Sequence, residues 1–242
     1  MNAVLQRICE TGFTEDAEGN PIAAFPSGVT RDTGCILYRL VRDHAYHNTL
    51  EIGLGFGLSA LYICQAHQDQ GGGSHTAIDP YEDSHYKSVG MLNAQRAGLG
   101  SFLRHFPARS FEVLPRLVDA GERFDLAFVD GQHHLDYALV DFFYIDKLLD
   151  PGGLVVFDDL WLPAIRRVVS FVLGNRNYAL LRVRSDVRRP IWRPIASTAL
   201  RVLQDPLSLD LRVATIPQNI AVLRKLSEDT RSWRMRRHIR VS

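Results

Sequence analysis

Three carboxylates and two histidines are gathered in two short segments of this 242-residue chain, Val129-Asp130-Gly131-Gln132-His133-His134 and Phe157-Asp158-Asp159-Leu160-Trp161. Each segment closes an apolar run that reads as a strand. If those strands are neighbours, Asp130, Asp158 and Asp159 converge at one end of a sheet. Like charges so close raise one another's pKa unless protons or a cation offset them. A hard divalent ion such as Mg²⁺, which takes oxygen ligands and keeps several waters, would offset them and also polarise a hydroxyl. The competing reading has Asp158 or Asp159 capping the helix that follows. An imidazole titrates near neutrality, so a histidine here can take a proton from an acceptor hydroxyl. His133, nearer the strand end than His134, is the candidate general base. His44, His67 and His105 have no such company and read as surface or packing residues.

Upstream, Glu51-Ile52-Gly53-Leu54-Gly55-Phe56-Gly57 leaves a strand and opens a helix. Glycines there let the backbone turn sharply, approach a ligand closely and aim helix N-terminal amides at it. Asp79 ends the next strand, where an acid can accept hydrogen bonds from the ribose hydroxyls of an adenosine. These two features fit a nicotinamide dinucleotide and S-adenosylmethionine alike, and Gly55 to Ala60 satisfies the dinucleotide pattern G-x-G-x-x-A. Glu51 separates the two. An acid two residues before the first glycine can receive an amino group, directly or through water, and a dinucleotide has no such ammonium. The competing reading has Glu51 supporting the turn.

The elements that must position these residues alternate between strand-like runs and helical periodicity. Strands are predicted over 48–53, 75–79, 102–106, 124–130 and 153–158, with later ones over 178–183 and 219–226. Helices are predicted over 29–43, 58–67, 84–98, 135–148 and 161–173, and Pro151-Gly152-Gly153 is expected to stop the fourth. The alternation predicts a doubly wound α/β sheet, mostly parallel, with helices on both faces. In such sheets a ligand sits beyond the carboxyl ends of the strands at the switch point, which selects the glycine turn, Asp79, Asp130 to His134 and Asp158 to Trp161. One domain is expected, with N-terminal helices in 1–45, a core over 46–184, and an insertion, the last strands and an Arg-rich tail in 185–242.

Bulk properties narrow the classes further. A formal charge of +1 and a pI near 7.8 give no reason to expect nucleic acid. Cys9, Cys35 and Cys64 are odd in number and widely spaced, which argues against a disulfide framework or a zinc site and suits the cytoplasm. No apolar stretch is long enough for a membrane span.

Taken together, E-x-G-x-G-x-G at Glu51–Gly57, I-D-P-Y at Ile78–Tyr81, F-D-L-A-F-V-D-G-x-H at Phe124–His133 and L-L-x-P-G-G-L-V-V-F-D-D at Leu148–Asp159 resemble the class I S-adenosylmethionine-dependent methyltransferases. Within them the chain is most similar to the group called methyltransferase family 24, over about Ser27 to Tyr178. The resemblance implies a Rossmann-like sheet of seven strands with an antiparallel last strand. It implies that Gly53, Gly55 and Gly57 border the methionine part of S-adenosylmethionine, that Asp79 holds the ribose, and that Pro80, Tyr81 and Ser110 lie near the adenine. Catechol-type relatives hold Mg²⁺ on acids that match Asp130, Asp158 and Asp159, and carry a catalytic lysine where this chain has His133. The expected reaction is O-methylation of a small-molecule acceptor, with a homodimer as one expected assembly. An NAD(P)-dependent oxidoreductase and a non-catalytic binding module on the same fold are the alternatives.

Overall fold

The structure is a computed structural model that describes residues 2–184 and 210–231. Seven strands form its main sheet: β3 (Asn48–Ile52), β4 (Ser74–Ile78), β5 (Leu103–Phe106), β6 (Phe124–Val129), β7 (Leu149–Phe157), β8 (Tyr178–Leu181) and β9 (Ala221–Lys225), in the order β5-β4-β3-β6-β7-β9-β8. Neighbours pair in parallel except β9, which is antiparallel to both β7 and β8. The chain winds outward from β3 to β5 and then returns to β6 on the other side of β3. The switch point therefore lies between β3 and β6.

Alternation along each strand explains why both faces are covered. In β6, Ala127 and Val129 face one hydrophobic core, with Val155 and Phe157 of β7 beside them. The helices packed there are α5 (Ser110–Asp119), α6 (Leu135–Leu148) and α7 (Pro163–Asn175). Leu126 and Phe128 face the other core, with Leu154 and Val156, under α2 (Arg31–Asp43) and α3 (Leu58–Asp69). Helix starts follow from local chemistry: the Thr30 hydroxyl accepts from Thr33 N at the head of α2, and Pro163 occupies the first turn of α7.

Three local readings differ from the structure. The N-terminal region holds α1 (Ala3–Thr11) and a hairpin, β1 (Phe13–Glu15) with β2 (Pro21–Ala23), before α2 rather than helices alone. The helix expected over 84–98 is only α4 (Val89–Arg96), because Pro80 to Ser88 form turns. Pro151-Gly152-Gly153 does not separate helix from strand: β7 begins at Leu149 and passes through these residues, with Gly152 at φ +98° and a register shift against β6. A short helix, α8 (Leu211–Ala214), precedes β9. The insertion expected from residue 185 onward and the basic tail from Arg234 to Arg240 fall on residues 185–209 and 232–242, outside the described residues. Among the described residues no helix is long and apolar enough to cross a membrane.

Candidate active site

Ile52 at the end of β3 and Val129 at the end of β6 are register partners, so the residues after them open on the same crevice. Gly53, at φ +92°, lies against the chain leaving β6: a Cβ there would stand 2.2 Å from the Asp130 carbonyl oxygen. Gly57, at φ +75°, lies against Gly90 at the head of α4, with 2.9 Å between a would-be Cβ and Gly90 Cα. Gly55 has space around it but φ +53°, so its conformation is what calls for glycine. The three glycines of the turn thus serve one strand crossing, one helix contact and one left-handed link.

Asp79 follows β4 and is 4% exposed. Its Oδ2 accepts from Leu54 N and Gly55 N, both at 2.9 Å, and its Oδ1 accepts from Tyr81 N at 2.8 Å. A carboxylate offers about four acceptor sites, so the glycine turn and its own loop occupy most of them and leave room for one further donor. Asp79 therefore fastens the turn as well as facing the crevice.

A cavity of about 490 Å³ occupies the switch point. Gly53, Gly55, Asp79, Pro80, Tyr81 and Ser110 border one part of it, and Asp130, His133 and Asp159 border the rest. Glu51, Gly57 and Asp158 do not line it. Ser110 stands beside the buried Asp141 of α6, whose carboxyl is pushed up to about 6 mainly by burial. Ser59, in the first turn of α3, lines the cavity beside the buried Glu51, whose carboxyl burial pushes up to about 8.

In the second part of the cavity, Asp130, His133 and Asp159 present atoms that all lie within 4.8 Å of one another. His133 Nε2 is 2.8 Å from Asp159 Oδ2 and 3.5 Å from Asp130 Oδ1. The hydrogen bonds to Asp130 and then Asp159 push the imidazole up to about 10. Burial raises Asp130 to about 6, and burial followed by the Asp130 charge raises Asp158 to about 8. Burial also acts on Asp159, but the bonds from His133 and Trp161 hold it below the usual carboxylate range. Near neutral pH, protons on Asp158 and His133 thus relieve the repulsion among the acids. Two carboxylates at this spacing fit a divalent cation with room for waters, and their oxygens suit Mg²⁺.

Asp158 and Asp159 are braced from a distant part of the chain. Asn219, just before β9, donates to Asp159 Oδ1 at 3.1 Å and to Asp158 Oδ1 at 3.4 Å, while its own Oδ1 accepts from Trp161 N at 3.1 Å. Asp159 also accepts from Trp161 Nε1 at 2.8 Å and has φ +56°, a conformation uncommon outside glycine. This left-handed turn lies at the cavity wall. No local motif announced Asn219, which reaches the site only because β9 pairs with β7.

The profile of a family described as a methyltransferase domain matches residues 50–160. A protein of Mycobacterium avium (strain 104) assigned to the O-methyltransferases is 31% identical over 207 residues, which are 82% of this chain and 88% of the relative. One from Mycobacterium sp. (strain JLS), similarly assigned, is 30% identical over 154 residues, 62% of this chain and 66% of the relative. Among solved structures, the O-methyltransferase TomG from Streptomyces achromogenes, in complex with SAM, has a TM-score of 0.61 at 19% identity, covering 93% of this chain and 96% of that one. At that identity the likeness is one of fold.

Proposed function

Since this chain belongs to the O-methyltransferase family, we propose that it is an S-adenosylmethionine-dependent methyltransferase whose acceptor is the hydroxyl of a small molecule. The observation that carries this reading is the single cavity that joins the glycine turn and Asp79 to Asp130, His133 and Asp159. Cofactor and acceptor sites must share one space for a methyl group to pass between them.

When bound, S-adenosylmethionine supplies a methyl group already activated on a sulfonium, so the protein's task is mainly alignment and proton handling. Gly53 and Gly55 bring backbone close to the methionine part, and Asp79 takes a ribose hydroxyl with its remaining lone pair. Pro80, Tyr81 and Ser110 enclose the adenine. Asp130 and Asp159 would hold Mg²⁺, with His133 beside them and Asp158 as the proton-bearing acid behind, and the ion would lower the pKa of an acceptor hydroxyl.

His133 is the group placed to take the hydroxyl proton. Without a cation its raised pKa keeps it protonated below about 10, so base strength is present but unavailable at neutral pH. In chelator, kcat/KM should therefore climb with pH from 7 towards 10; a flat profile over that range would remove His133 as the base.

The direct test is calorimetric titration with S-adenosylhomocysteine, repeated with Mg²⁺ and with chelator. Saturable one-to-one binding in either buffer is the expected result. Absence of binding in both would overturn the methyltransferase reading.

A further inference from the structure

Helix α6 is apolar on two opposite sides. Ala138, Phe142 and Ile145 are buried against the sheet, as a helix in this layer requires. The side turned away from the sheet carries Asp136, Val140, Phe143 and Lys147, all exposed, with the half-buried Leu139 and Tyr144 flanking them. At 3.6 residues per turn these four fall within about 60° of arc, so they form one stripe. Val140 is 41% and Phe143 49% exposed. The neighbouring α5 instead turns Glu112, Arg116 and Asp119 outward, the ordinary polar face of a surface helix. A helix that is apolar all round is normally covered all round, and an exposed apolar patch on a folded domain marks a contact surface.

The order of residues along the stripe selects what covers it. From Asp136 to Val140, Phe143 and Lys147 the successive spacings are four, three and four residues, the same from either end. An identical helix laid antiparallel across a two-fold axis therefore meets the stripe in register. Each Val140 then lies on the partner's Phe143, and each Asp136 on the partner's Lys147. Parallel pairing would instead set acid on acid and base on base. Lys147 leans along the stripe, its Nζ 4.8 Å from the centre of the Phe143 ring, and Phe143 meets Tyr144 edge-on with centroids 5.1 Å apart. The side chains at the middle of the stripe are thus held within the monomer.

We propose that the outer face of α6 is the interface of a symmetric homodimer, in which two copies of the helix cross antiparallel at Val140 and Phe143 with an Asp136–Lys147 pair on either side. Such a contact is self-complementary and closes on itself. It lies beside the cavity: Tyr137, next to Asp136, lines that cavity together with Phe111, and their rings stand 6.1 Å apart. The pairing involves no cofactor or substrate and so does not depend on the reaction. One helix from each chain makes a small interface, so a dissociation constant on the order of micromolar is expected.

Sedimentation velocity on the full-length protein, from about 1 to about 100 µM, tests this. Wild type is expected to pass from the 27.3 kDa monomer to twice that mass over the range. Phe143→Asp, which places a charge at the apolar centre twice, should raise the dissociation constant about a hundredfold. Asp136→Lys and Lys147→Asp should each raise it about tenfold, because each sets two pairs of like charges face to face. An equimolar mixture of those two variants should dimerise as tightly as wild type, since every charge contact in the mixed pair is again between opposites. The substituted side chains are exposed, so circular dichroism and melting temperature should match wild type. Wild type that stays monomeric throughout the range, a dimer indifferent to Phe143→Asp, or charge variants whose mixture fails to regain the dimer overturns the proposal.

Discussion

Gly53→Ala should lower the stability of the fold by more than about 3 kcal/mol and abolish binding of S-adenosylhomocysteine. Two costs add. A non-glycine residue at φ +92° is strained by about 1–2 kcal/mol. The new methyl would also stand 2.2 Å from the Asp130 carbonyl oxygen and 2.9 Å from its carbon, both backbone atoms that cannot rotate away. Relief would push the β6 exit from β3 and with it Asp130 from the glycine turn, so both parts of the cavity would be displaced together. Thermal unfolding and ligand titration check this. A variant that melts within a few degrees of wild type and binds normally would show that the strand ends are not in this contact.

Asp159→Gly should separate chemistry from stability. Glycine relieves the left-handed backbone at φ +56° while removing the carboxylate that meets His133, Trp161 and Asn219. Those opposing effects should leave unfolding stability within about 1 kcal/mol of wild type. Methyl transfer should fall on the order of 10²–10³-fold, because the acceptor end of the cavity loses both a cation ligand and the partner that orients His133. S-adenosylhomocysteine affinity, set by the other end, should stay within about threefold. A drop in transfer of less than about tenfold would remove Asp159 from the reacting centre.

Most of the sheet was legible in the sequence because β3, β4, β6 and β7 end as apolar runs into Gly53, Asp79, Asp130 and Asp158, and periodicity reports that directly. What escaped depends on distant partners. The β1–β2 hairpin has strands of only three residues, and it is fastened by Arg96 donating to Glu15 O and Asp16 O and by the Thr14 hydroxyl donating to Asn93. None of these is visible in a local window. The start of β7 was hidden by Pro151-Gly152-Gly153, residues that ordinarily end elements but here carry a register shift on the strand. His67 is a packing residue, as expected, but its buried hydrogen bond to Thr49 on β3 could not be read locally. The acid cluster was readable as a cluster, but not its internal assignment: the backbone turn at Asp159 sends one acid of the pair into the cavity and leaves Asp158 behind it.

The placement of β9 also bears on how the protein is made. Among the described residues it is the last strand of the sheet in sequence, yet it lies between β7 and β8. A chain emerging from the ribosome must therefore hold the apolar edge of β7 without a partner until residues 221–225 are available, and an open edge of that kind pairs readily with other chains. Asn219 arrives at the same moment, so the Asp158–Asp159 pair gains its brace only as the sheet closes. Chains that stop before residue 219 should therefore be prone to aggregate and lack the brace on the acid pair.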